Sequence, residues 1–85
     1  MKTAHILLAQ YDRAVVPLEE VHRDYFSALS LVTFMRKLGN GEIPLPVVRL
    51  DGSQKGPKAV HITDLAKYID GQAEEARKLT RKLAS

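Results

Sequence analysis

The stretch SALSLVTFMRKLGNG, residues 27–41, decides the fold. Ser27-Ala28-Leu29-Ser30 reads as a tight turn, and Ser30 is suited to cap the start of a helix because its hydroxyl can accept an otherwise orphaned backbone N–H. At about 100° per residue, Leu31, Phe34, Met35 and Leu38 fall on one side of that helix. Ser30, Thr33, Arg36, Lys37 and Asn40 fall on the other. Gly39-Asn40-Gly41 then stops it, since glycine or asparagine adopts the left-handed C-terminal position at low cost. The spacing therefore predicts a helix over Leu31–Leu38 with one buried face. Its opposite face carries hydrogen-bonding groups and cations and no acid.

Upstream, Pro17 is placed as the first residue of a preceding helix, where its missing N–H costs nothing. Glu19 and Glu20 follow at the positive end of the helix dipole, and Leu18, Val21 and Tyr25 supply an apolar face running to Tyr25 or Phe26. Tyr25, Phe26 and Phe34 are expected in the core. Ala14-Val15-Val16 reads as extended, because the residue before a proline is pushed out of the α region. Thr3–Tyr11 is apolar and open between helix and strand, with Leu7, Leu8, Ala9 and Gln10 favouring helix.

Downstream, Ile43–Leu50 is extended, barred from helix by Pro44 and Pro46. Residues 51–58, DGSQKGPK, form a turn-rich loop, and Ala59–Ile62 a second short strand, so the pair is expected to form a β-hairpin with a basic tip. Thr63-Asp64 is placed to cap a last helix containing Leu65, Tyr68 and Ile69. It can continue through Gly71 towards Leu83. Leu65, Ile69, Gln72, Ala76, Leu79 and Leu83 alternate spacings of four and three, the seam of a coiled coil, although Gln72 and Ala76 weaken it. The same residues read equally as a frayed basic tail.

The expected architecture is mainly α with a small β-hairpin, a winged helix-turn-helix (excisionase-like) DNA-binding domain. It forms a single unit over residues 1–85, with a C-terminal helix of about 63–83 extending beyond the core. A chain of 85 residues buries a modest core, so a partner or second copy often completes the stability of such a domain. The sequence has no cysteine, which excludes disulfides and thiolate metal sites and fits a reducing compartment. Residues 1–13 lack the long apolar core of a signal peptide, and no apolar run reaches the roughly 18–20 residues that span a bilayer. A soluble, cytoplasmic, nucleoid-associated protein with no membrane partner is expected.

The formal net charge is +3, and its distribution is informative. Lys2 and Arg13 are outnumbered by Asp12, Glu19 and Glu20 in residues 1–22. In residues 23–62, Arg23, Arg36, Lys37, Arg49, Lys55 and Lys58 face Asp24, Glu42 and Asp51. The basic excess thus lies in the middle of the chain, around the predicted helix and loop. Taken alone it is compatible with an ordinary solvated surface.

The conjunction is more specific. A major groove about 12 Å wide admits one α-helix, and base edges offer donors and acceptors that Arg, Lys, Asn and Thr side chains can meet. Ser30, Thr33, Arg36, Lys37 and Asn40 are the candidate readers. Arg49, Ser53, Gln54, Lys55 and Lys58 are the candidate backbone contacts of the loop, where they would set affinity and register more than sequence choice. Double-stranded DNA, as a promoter element, is the expected partner. No catalytic, metal or cofactor site is expected. His5, His22 and His61 lie in separate segments without metal-ligand spacing, and no Ser-His-Asp order, phosphate-cradling loop or paired inward carboxylates occur in a credible context.

Several stretches match a known pattern: LLAQY (7–11), VPLEEVHRDYF (16–26), FMRK (34–37), GEIPLPVVRL (41–50), SQKGPKAVHI (53–62) and DLAKYID (64–70). Over Ala4–Ala76 the chain resembles the pyocin activator (PrtN) family of small bacterial regulators. The resemblance implies a sequence-specific activator that binds an upstream promoter element and switches on bacteriocin (pyocin-like) or prophage genes. One departure is Asp12-Arg13, where the family more commonly has a glycine-containing turn. The Gly-Glu-Ile-Pro turn and hairpin are also similar to excisionase-like proteins, which bend DNA. An architectural DNA-bending factor and a protein-interaction module such as an antirepressor are the alternative readings. RNA polymerase is a further candidate partner, and a homodimer or cooperative oligomer on DNA is expected because one recognition helix alone binds weakly.

Overall fold

The computed structural model of the chain describes residues 2–53 and 56–85. Among these it forms α1 (Thr3–Tyr11), β1 (Val15–Pro17), α2 (Leu18–Tyr25), α3 (Leu31–Gly39), β2 (Ala59–His61) and α4 (Ile62–Ala84). The protein is mainly helical with a small two-stranded antiparallel sheet, consistent with a winged helix-like fold.

Residues 3–11 are helical. The helix ends at Asp12, which takes the left-handed conformation (φ 52°) and donates its N–H to the Leu8 carbonyl at 2.7 Å. Aspartate tolerates this region better than most L-residues, and glycine better still. The departure at Asp12-Arg13 therefore falls on the backbone position where glycine would be least strained.

Pro17 sits one residue earlier than expected. It is the N-cap of α2 and the last residue of β1, paired with Ala59. The Leu18 N–H, which a proline at that position would lack, donates to the Lys58 carbonyl at 3.0 Å. Helix α2 buries Leu18 and Val21, while Tyr25 stays exposed and donates its hydroxyl to Gln10 at 2.9 Å. The Tyr11 hydroxyl donates to Asp24 at 2.6 Å, tying α1 to α2. The Arg23 guanidinium, then this phenol, hold the Asp24 carboxyl below its usual range.

The hairpin is built differently from the sequence expectation. β2 pairs not with residues 43–50 but with β1, in the register Val15↔His61, Val16↔Val60 and Pro17↔Ala59. Residues 43–50 contribute a single bridge, Val48 to Ala59, with reciprocal bonds of 2.7 and 2.9 Å. Pro44 and Pro46 have no N–H to donate, which disfavours ladder pairing over residues 43–46. Ile43 and Leu45 instead bury their side chains in the core, and the Ile43 N–H donates to the Lys37 carbonyl at 3.1 Å. β2 is thus the central strand, flanked by β1 and by Val48.

The core gathers Leu7, Val16, Val21, Phe34, Val60 and Leu65 from every regular element. Phe34 lies at its centre, stacked on Phe26 with ring centroids 4.6 Å apart. Phe26 is partly buried and also meets Tyr68 of α4 at 5.7 Å. Helix α4 begins one residue before the expected Thr63, with His61 as the cap. Its Nδ1 accepts the Thr63 N–H at 3.1 Å. The helix passes Gly71 without a break and runs for 23 residues. Leu79 and Leu83, in its last turns, are exposed.

Candidate nucleic-acid interface

Helix α3 starts as its sequence implies. The Ser30 hydroxyl accepts the Thr33 N–H at 3.1 Å and donates to the Thr33 Oγ1 at 2.9 Å. These two candidate readers are therefore occupied in closing the helix start. At the other end the chain turns back at Gly41, whose φ of 82° lies in the left-handed region that favours glycine.

The turn between α2 and α3 is pinned by a residue that sequence reasoning did not single out. His22 is half-buried, donates Nε2–H to the Leu29 carbonyl at 2.6 Å and places its ring 5.5 Å from that of Phe34. It fixes the angle at which α3 leaves the turn. A histidine in the pattern Leu-Glu-Glu-Val-His on an amphipathic helix carries no sequence signal for that role.

The rotation of α3 also differs from the wheel. Leu31 and Met35 were expected inside with Phe34 and Leu38, yet Phe34 is buried, Leu38 partly so, and Leu31 and Met35 are 38% and 37% exposed. The outward ridge consists of Val32, Met35, Arg36 and Gly39, while Thr33 and Lys37 turn partly towards the protein. The Lys37 side chain is half-buried, with its ammonium 3.7 Å from Glu42.

The polar face is not free of acid. The Glu42 carboxylate folds back from the turn onto three of the candidate readers. It lies 4.0 Å from the Arg36 guanidinium and 3.7 Å from the Lys37 ammonium, and it accepts the Asn40 side-chain amide at 2.9 Å. The Glu42 N–H in turn donates to Asn40 Oδ1 at 2.9 Å. Arg36, Lys37 and Asn40 are thereby brought to one place, at the C-terminal end of α3. Glu42 was not foreseen because it lies outside the helix and reaches it only through the reversal at Gly41.

Arg49 and Lys58 are brought to the same end. Both line a groove whose other wall is Met35, Leu38 and Gly39 of α3. Beyond them the Asp51 carboxylate accepts the Ser53 N–H at 2.9 Å. A side chain at Gly56 would meet that same carboxylate, which would have to swing aside into solvent. Ser53 is exposed at the loop. Gln54 and Lys55, the remaining candidates, lie outside the described residues.

Among the described residues, no three His, Cys, Asp or Glu side chains stand close enough to hold a metal ion. No described helix is long and apolar enough to cross a membrane. An exposed, capped helix thus stands beside a groove lined by Arg49 and Lys58. The chain belongs to the pyocin activator family, described as pyocin activator protein PrtN, whose model matches residues 3–76. This is a family of regulators of pyocin genes, not of enzymes. Comparison with the curated proteins and with the solved structures returned no match.

Proposed function

We propose that this chain is a sequence-specific, double-stranded-DNA-binding activator of pyocin-like bacteriocin or prophage genes. The observation that carries the reading is the convergence of Arg36, Lys37 and Asn40 at the end of α3 beside the groove lined by Arg49 and Lys58. Family membership supports the regulatory part of it. In this reading α3 enters the major groove as in other helix-turn-helix modules, with Arg36 reaching a base edge. Arg49, Lys58 and the loop residues Ser53, Gln54 and Lys55 lie along phosphates. Ser30 and Thr33 contribute chiefly by holding the helix start.

The test is binding of the purified chain to a duplex from upstream of a pyocin-like gene cluster, against random duplex, over a range of salt. The expected result is preference for the upstream duplex and an affinity that falls steeply with salt as counterions are released. Failure to bind any duplex at low salt would move the chain to the protein-interaction alternative. Strong bending of the duplex without activation of a reporter would move it to the architectural one.

Glu42 makes a separate prediction. Its carboxylate neutralises two cations and would repel phosphate, so it acts against indiscriminate binding. Glu42→Gln is expected to tighten random-duplex binding by about two- to tenfold at low salt, with the gain fading as salt screens it. Fluorescence anisotropy at two salt concentrations measures this. An unchanged random-duplex affinity at low salt would remove Glu42 from the interface.

A second copy is proposed to share the DNA, with half-sites spaced by about one helical turn or a multiple of it. The stripe Leu65, Ile69, Gln72, Ala76, Leu79 and Leu83 leaves the core along α4 and ends in exposed leucines, which gives such a copy a surface to meet. Sedimentation with and without DNA measures the stoichiometry. Contact with RNA polymerase is the proposed route from binding to activation.

A further inference from the structure

Val32 is 79% exposed at the start of the outward ridge of α3. A valine facing water at a helical position gains nothing from burial, and β-branching gives no advantage in helix propensity. Met35, one turn away, is itself 37% exposed. Helical spacing sets Arg36 on the same ridge one turn beyond Val32, and Gly39 follows with open space around its Cα. The ridge therefore offers, in order, an apolar knob, a cation and a position without a side chain. The charges towards the C-terminal end of this helix, Arg36, Lys37, Arg49 and Lys58 against Glu42, remain net basic and favour a polyanion over another apolar protein surface. In the major groove the apolar feature presented by a base pair is the thymine C5-methyl group.

We infer that Val32, with Met35 beside it, reads a thymine C5-methyl group in the major groove. The inference rests on the proposed entry of α3 into that groove and names what its apolar side recognises. Four residues of helix rise about 6 Å. Bases on one strand are stacked about 3.4 Å apart. The thymine read by Val32 is thus one or two base pairs from the base met by Arg36. Val32 selects the methyl-bearing base by contact, and Arg36 fixes the register by hydrogen bonding.

The test uses the full chain and a duplex bound in preference to random sequence, in which each thymine is replaced in turn by uracil. This removes the methyl group and keeps the base pairing. At one or two positions the wild-type chain is expected to lose about three- to tenfold in affinity, the scale of one methyl contact. Val32→Ala is expected to lose a similar factor on thymine duplex and to be indifferent to uracil at those positions. Alanine at an exposed helical site favours the helix, and circular dichroism confirms that the variant is folded. Val32→Thr, which keeps a methyl group, is expected to retain part of the discrimination. Wild-type indifference to every uracil replacement would overturn the inference and leave DNA binding standing. So would a Val32→Ala chain that still shows the full uracil penalty. Absence of binding to any duplex at low salt would overturn the DNA reading and this inference together.

Discussion

Phe34→Ala is expected to destabilise the fold by about 3–5 kcal/mol, the usual cost of emptying a fully buried phenylalanine site. The ring has no solvent exposure, stacks on Phe26 at 4.6 Å and faces the His22 ring at 5.5 Å. Its loss removes apolar burial and leaves a cavity that its neighbours cannot close without moving α3. A domain of this size has a total stability on the order of 4–13 kcal/mol at typical values per residue, so the loss is a large part of the whole. Urea unfolding followed by far-ultraviolet circular dichroism checks it. The midpoint should fall sharply, and the variant could be substantially unfolded without denaturant. A loss under about 1 kcal/mol would mean that the site collapses around the smaller side chain, contrary to the close packing expected of interiors. Because Phe34 is the buried residue of α3, the same variant should also lose whatever activity depends on that helix.

Arg36→Ala is expected to leave the fold intact, since its side chain is largely exposed and its partner Glu42 is also at the surface. On the preferred duplex it should cost about 1–3 kcal/mol and relax the preference at one base position, as removal of a base-edge contact does. Lys58→Ala serves as the contrast. A phosphate contact carries no sequence information, so its removal should weaken preferred and random duplex alike and reduce the salt slope by about one. Binding isotherms for the two variants, on both duplexes and at several salt concentrations, separate the roles. If Arg36→Ala left both affinity and preference unchanged, α3 would not be the reading helix.

Much of the scaffold was legible in the sequence, and the reasons are local. Ser30 caps α3, Gly41 reverses the chain after it, and Pro17 marks the start of α2, because each of these depends on a residue's own backbone preferences or on its nearest neighbours. The rotation of α3 was less legible. In a helix of 9 residues with one buried side chain, the apolar residues are too few to settle which way the helix faces, and packing around Phe34 turned Met35 outward. The strand pairing was misread for a related reason. Adjacent extended segments suggest a local hairpin, whereas the partner is β1, distant in sequence, and residues 43–50 hold only the single bridge at Val48. At the candidate interface, Arg36, Lys37 and Asn40 could be grouped by helical spacing. Glu42 could not, since its approach depends on the path of the turn.

The pairing of β1 with β2 has a consequence for how the protein comes into being. The strands lie at either end of a long excursion that contains α2, α3 and the basic loop, so three residue pairs close the whole of it. Closing so long a loop is entropically costly until the contacts beyond it form, which makes such topology slow relative to local hairpins. During synthesis the excursion must remain open until residues 59–61 and the start of α4 have left the ribosome, because Val60, Ile62 and Leu65 complete the core. The core therefore cannot close before the start of α4 is available. A nascent or prematurely terminated chain ending before β2 would carry α3 without the framework that holds it, and would be a substrate for proteolysis instead of a partial regulator.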